Sequence, residues 1–155
     1  MLPKQKLAVQ LIAKWEGCKL EAYLDQGGVA TIGIGTITYP NGKKVKIGEK
    51  ITREQAEDFC NSHLKKFIYP LLDQYDLPDN VYAALASFCY NCGTKWVQQP
   101  DFQECITRQD YTGLSDLVKK FNKVKDRDTG IRVVNKGLTN RRNDEVRLMT
   151  EREDA

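Results

Sequence analysis

The sequence predicts an α+β fold, and three observations predict it. A stretch with helical spacing of apolar residues covers residues 3–16. A run rich in β-branched residues, Val29–Tyr39, follows and leads into a strong hairpin signal, Pro40-Asn41-Gly42-Lys43. From the capping-box pattern Thr52-Arg53-Glu54-Gln55 onward, the chain reads helical to its end.

Taken in order, Pro3 suits a first helical position, where its missing N–H costs nothing. Leu7, Leu11 and Trp15 follow at helical spacing with Ile12 beside them, and Gly17 is a C-cap, so this helix ends at Glu16–Gly17. Residues 18–50 form a small antiparallel sheet lobe, with Val45 and Ile47 on the return strand. Side chains alternate across a strand, so Ile32 and Ile34 point into the core while Thr31, Gly33 and Gly35 point the other way. That second face lacks bulk, and a ligand can lie close against it. The helical lobe spans about 52–155. A helix from Thr52 to Tyr69 stops before Pro70. Another starts near Pro78, with Val81, Leu85, Phe88, Cys89 and Cys92 on one stripe and Gly93 closing it. Shorter helices follow around 101–108 and 111–122, and a last helix runs from Gly137 to Thr150. With no repeat or linker, residues 1–155 are expected to form a single domain.

Bulk properties narrow the function. Hydrophobic residues at 41% and charged residues at 29% exclude disorder. A net charge of +3 does not demand nucleic acid but suits an anionic polymer. From Lys119 to Ala155 there are eleven Lys/Arg against seven Asp/Glu, so the excess sits at the C-terminal end. No apolar run of about 18 residues exists to span a membrane. Lys6, Gln10 and Lys14 interrupt the apolar residues near the start, which favours a globular helix over a secretion signal and a cytoplasmic location. Five cysteines are an odd number, and free buried thiols are expected. Cys89-Tyr90-Asn91-Cys92 matches a C-x-x-C pattern, but it lies on a helical stripe with no second pair, and His63 is the only histidine. Core packing is the expected role, with no metal and no cofactor.

Two carboxyl groups and a threonine carry the chemistry. Glycosidic bond cleavage needs one carboxyl to donate a proton and another to activate water or attack the sugar. Glu16 falls in the last turn of the first helix, where the helix dipole and the neighbouring Trp15 favour the protonated acid. Asp25 lies in Asp25-Gln26-Gly27-Gly28, a polar turn whose N–H groups can solvate an anion. Thr31 offers a hydroxyl to hold water.

Glu16, eight residues, Asp25, five residues, then Thr31-Ile32-Gly33-Ile34-Gly35 resembles the catalytic signature of the phage lysozyme family. Three further blocks fit in order: Gly48 to Gln55, Ser87-Phe88-Cys89-Tyr90-Asn91-Cys92-Gly93, and Gly137-Leu138-Thr139-Asn140-Arg141-Arg142 with Glu145. The resemblance implies a lysozyme-like fold with a cleft between a small β lobe and a larger helical lobe. It implies cleavage of peptidoglycan strands between N-acetylmuramic acid and N-acetylglucosamine, with inversion. Glu16 is then the acid, Asp25 assists the attacking water and Thr31 positions it. Gly33, Gly35, Tyr90, Asn91 and Arg141 become the substrate-cleft residues, with Arg141 similar to the arginine that pairs with the family's catalytic glutamate. Thr36 stands where the family often has His or Asn. A monomer is expected, held in the host cytoplasm and released to the wall once a holin breaches the membrane. Two other classes, a non-hydrolytic wall-binding relative and a nucleic-acid-binding domain, have less support: the first conflicts with an intact Glu16, Asp25 and Thr31, and the second rests on mild charge alone.

Overall fold

The chain opens as α1 (Pro3–Glu16), with Pro3 in its first turn and Gly17 at φ +80° closing it through a bond to the Ala13 carbonyl. The computed structural model describes residues 1–151; the last residues of the expected domain, 152–155, lie outside the described residues. The buried face of α1 is Ala8, Val9 and Ile12, while Leu7, Leu11 and Trp15 are only half-buried. The stripe is therefore offset from the Leu7–Leu11–Trp15 line. Small residues at the contact let α1 lie close on a central helix, with the larger side chains flanking it.

Strands β1 (Lys19–Leu24) and β2 (Ala30–Gly33) pair antiparallel, with Tyr23 opposite Thr31 and Leu24 opposite Ala30. The predicted turn forms as expected: Gly42 adopts φ +87° and the Tyr39 N–H reaches the Lys43 carbonyl at 2.8 Å. The β-branched run itself is not one strand. Gly33 at φ +64° and Gly35 at φ +78° turn the backbone, so Ile32 bridges back to Thr36. This breaks the expected alternation. Ile32 packs with Ala22 and Val45 in a satellite core of the β segment, whereas Ile34 joins the main core.

The capping box holds as read. Thr52 Oγ1 accepts from the Gln55 N–H and Gln55 Oε1 accepts from the Thr52 N–H, starting α2 (Arg53–Phe67). Pro70 does not simply end the helix; it opens a one-turn helix, α3 (Tyr69–Leu72), at a position where its missing N–H is harmless. The core is centred on α4 (Asp79–Cys92), in which every residue from Val81 to Cys89 is buried. Helix α1 packs on one flank of α4 and α7 (Lys136–Thr150) on another. Between them come α5 (Pro100–Thr107) and α6 (Tyr111–Lys119), with Asp110 capping α6 through the Gly113 N–H.

One feature departs from an all-helical C-terminal lobe. Strands β3 (Lys123–Lys125) and β4 (Arg132–Val134) form an antiparallel hairpin ahead of α7. All six strand residues are exposed, and each strand is three residues long, shorter than the alternation that announces a strand, although Val124 lies opposite Val133. Among the described residues, no helix is long and apolar enough to cross a membrane.

Candidate active site

The local backbone explains where Asp25 and Thr31 sit. The turn after β1 wraps around the Asp25 carboxylate. Its Oδ1 accepts from the Gly27 N–H at 2.9 Å and the Val29 N–H at 2.8 Å, the solvation expected from the polar turn. Among the described residues Oδ2 makes no protein hydrogen bond, and Asp25 is exposed. Thr31 is tied to the same point. Both the Asp25 N–H and the Thr31 hydroxyl donate to the Val29 carbonyl, each at 2.9 Å. Thr31 is 4% exposed, and with its proton engaged its hydroxyl can only accept from a further partner.

Glu16 reaches the site from the end of α1, with 28% of its side chain exposed. Arg141, from α7, donates from Nη1 to Glu16 Oε1 at 2.7 Å. This is the pairing that the family resemblance implies, and it sets a guanidinium from α7 beside the carboxyl at the end of α1. No hydrogen bond joins Glu16 to Asp25 or Thr31 among the described residues: Asp25 and Thr31 are held by the turn between β1 and β2, and Glu16 by α7. Lys14 and the Trp15 indole both bind Asp144, which fixes the last turn of α1 against α7.

The glycine reading needs correction. An added Cβ on Gly33 would lie 3.1 Å from Ala56 Cβ and 3.2 Å from Ile51 Cδ1, so Gly33 is buried against the start of α2 and does not line an open ligand face. An added Cβ on Gly35 would lie 2.8 Å from the Tyr90 hydroxyl. Tyr90 donates that hydroxyl to the Ile34 carbonyl at 2.8 Å. It therefore locks the end of α4 to the glycine turn, a fold role that accounts for the side-chain-free position. Burial pushes the Tyr90 phenol up, with Cys60 and Glu16 adding to the rise, so it stays a donor at neutral pH. Asn91, the next residue, is exposed and faces elsewhere: it lines a cavity of about 850 Å³ together with Trp96, Phe121 and the cations Lys123 and Arg132.

Other residues differ from the simple reading. Cys89 is buried among apolar neighbours, as its stripe predicts, and burial pushes its thiol up to about 12. Cys92 is different: it is half-buried, and its sulfur accepts from Arg142 Nη1 at 2.7 Å. Arg142, which as an isolated surface charge would be solvated, is 1% exposed, and Arg141 is 4% exposed. Both pair with Glu145, which is fully buried and which the sequence shows only as part of the block from Gly137 to Glu145. Its helical spacing, three and four residues from the two arginines, was the available signal. The five cysteines are free.

Comparison with known proteins places these features in context. The family model described as Phage lysozyme matches residues 13–145. The chain is 36% identical over 138 residues to the SAR-endolysin of Pseudomonas phage phiKMV, covering 88% of this chain and 81% of that relative. It is 31% identical over 140 residues to the endolysin of Acyrthosiphon pisum secondary endosymbiont phage 1, covering 89% of this chain and 91% of the other. Among solved structures, the endolysin from Escherichia coli O157:H7 phage FAHEc1 superposes with a TM-score of 0.82 at 34% identity, over 97% of this chain and 94% of that one.

Proposed function

This chain belongs to the phage lysozyme family and is a glycoside hydrolase of the muramidase type, and from that premise we propose that it cuts the β-1,4 bond between N-acetylmuramic acid and N-acetylglucosamine with Glu16 as general acid. The observation that carries this reading is the shared Val29 carbonyl, which ties the Asp25 backbone and the Thr31 hydroxyl together beside a free carboxylate oxygen. Arg141 holds Glu16 Oε1, which leaves Oε2 to carry the proton. That proton passes to the glycosidic oxygen as its bond to the anomeric carbon breaks.

A water molecule supplies the new bond. Asp25 Oδ2 accepts one of its protons and Thr31 Oγ1 the other, because the Thr31 proton is already engaged with Val29. The lone pair of the water is then aimed at the sugar, and the Asp25 carboxylate takes the proton it loses. Attack from the side opposite the leaving group gives inversion. Solvent exchange returns Asp25 and Glu16 to their starting states.

Arg141 acts on the substrate side only through Glu16, and Tyr90 supports the cleft through the glycine turn. Asn91 opens on the separate cavity with Lys123 and Arg132, which Glu16, Asp25 and Thr31 do not line, and has no part in this step. The whole chain works as one lysozyme-like unit, a monomer acting on wall glycan without metal or cofactor. A folded protein of this kind cannot cross an intact bilayer, because its polar surface would lose its water. In this reading it reaches the wall from the cytoplasm after a holin opens the membrane, and the host lyses.

The test is Glu16→Gln on purified cell walls. Lysis falls by at least about 10²–10⁴-fold, the usual contribution of a general acid, while circular dichroism stays parental. A folded Glu16→Gln protein with near-parental lysis refutes the assignment.

A further inference from the structure

The most heavily buried charges among the described residues lie behind Glu16 and have no part in the mechanism above. Glu145 Oε1 lies 2.6 Å from Arg142 Nε, in a geometry that makes the contact one of charge rather than a hydrogen bond. Glu145 Oε2 accepts from Ser87 Oγ at 2.6 Å and from Arg142 Nη2 at 3.1 Å, and lies 3.5 Å from Arg141 Nε. Arg141 continues the chain outward, donating from Nη2 to the Ser87 carbonyl at 3.2 Å and from Nη1 to Glu16. Arg142 spends its remaining donors on the Phe121 carbonyl and Cys92 Sγ.

The charge balance of this cluster is unusual. Two guanidiniums cannot lose their protons, so the sealed part of the cluster carries two positive charges against one carboxylate. Burial pushes the Glu145 carboxyl up, while Arg142, the Ser87 hydroxyl and Arg141 draw it back. A protonated Glu145 would leave two buried cations facing Glu16 alone, a far costlier state than the ionised one. We propose that Glu145 is a positioning residue that sets how strongly Arg141 holds the Glu16 carboxylate, and therefore the pH range in which Glu16 carries its catalytic proton. The proposal rests on Glu16 being the acid.

The groups around Glu16 leave Arg141 as the charge that matters. Cys60 on α2 and Tyr90 on α4 feel the Glu16 charge, but the Cys60 thiol is pushed up to about 12 by burial and Tyr90 is raised as well, so both stay neutral through the working range. Cys18 and Tyr23 lie on the β1 side of the same cluster. Asp144 on α7 is engaged by Lys14, Arg147 and the Trp15 indole. Behind the arginines, Cys89 and Cys92 face Glu145 from α4.

With Glu145 ionised, Glu16 faces one net positive charge. Removing the Glu145 charge makes that two, so Glu16 gives up its proton more readily and the acid form survives only at lower pH. Removing Arg142 instead lets Glu145 neutralise Arg141, and the acid form survives to higher pH. Removing both leaves Arg141 alone and restores the original balance.

The experiment is the pH–rate profile of wall lysis for Glu145→Gln, Arg142→Met and the double variant, run well below each melting temperature. The alkaline limb should move about one pH unit toward acid in Glu145→Gln and about one unit the other way in Arg142→Met, each a roughly tenfold change in rate on the limb. Loosened packing alone cannot move the two limbs in opposite directions. Limbs that stay put, or that shift the same way, overturn the proposal. If one single variant fails to fold, the other decides: its limb must move about one unit in the stated direction, and an immobile or oppositely shifted limb overturns the proposal; the double variant, whose limb should match the parent, overturns it by a shift of a full unit. An inactive Glu16→Gln protein combined with immobile limbs refutes only the role of Glu145; an active Glu16→Gln protein refutes the underlying assignment instead.

Discussion

Replacing Gly35 with alanine should destabilise the protein by about 2–3 kcal/mol, and the structure supplies each part of that figure. Gly35 sits at φ +78°, where an ordinary residue costs about 1–2 kcal/mol. The new Cβ would lie 2.8 Å from the Tyr90 hydroxyl, so the phenol must withdraw from the Ile34 carbonyl it now bonds at the same distance. Losing that half-buried hydrogen bond adds roughly 1 kcal/mol. For a chain of this size the melting temperature should fall by about 5–10 °C. Tyr90→Phe, which removes only the hydrogen bond, should cost about 1 kcal/mol. The double variant should then be about 1 kcal/mol less damaging than the sum of the singles, because each single change breaks the same bond. Differential scanning calorimetry on the three variants measures this coupling. A Gly35→Ala protein within a degree or so of the parent, or strictly additive variants, would refute the claim that Tyr90 locks the glycine turn.

Two further outcomes follow from the buried and site residues. Burial pushes the Cys60 and Cys89 thiols up to about 12, above the roughly 8.5 of an unfolded chain, so the folded state holds their protons longer. Their stabilising contribution is complete below about pH 8.5 and is lost as pH rises toward the folded values, by about 1.4 kcal/mol per thiol per pH unit. Between about pH 8.5 and 9.5, before most tyrosines titrate, stability should fall more steeply in the parent than in Cys60→Ala/Cys89→Ala, and parallel slopes in urea titrations would contradict this. If the Thr31 hydroxyl accepts from the attacking water, Thr31→Val should lower wall lysis roughly 10–100-fold with substrate binding unchanged. A Thr31→Val enzyme with parental turnover would remove Thr31 from the mechanism.

Turn and cap signals in the sequence read true, while contacts between distant residues left no local signal. The Thr52–Gln55 capping box, the Gly42 turn, the Gly17 cap and the Asp25 turn each depend on neighbours within a few residues, and each formed as read. The strand alternation failed at one backbone feature: positive φ at Gly33 and Gly35 sends Ile32 and Ile34 to different cores. The β3–β4 hairpin escaped because its strands are only three residues each, too short for a readable alternation, although Thr129-Gly130 marks its turn. In the site, Glu16, Asp25 and Thr31 could be singled out from residue type and spacing. The Arg141–Glu16 pair joins residues 125 apart and the Arg142–Cys92 contact residues 50 apart, so only the fold or a family resemblance can connect them. The burial of Glu145 is likewise a property of packing between α4 and α7.

Cleavage of wall glycan by a water held at Asp25 and Thr31 would leave its oxygen on the product. The most direct measurement is mass spectrometry of peptidoglycan digested in water labelled with heavy oxygen. Hydrolysis should give fragments that end in reducing N-acetylmuramic acid, with one labelled oxygen at the anomeric carbon. Unlabelled anhydro-muramic ends, reducing N-acetylglucosamine ends, or released peptides with the glycan intact would contradict it.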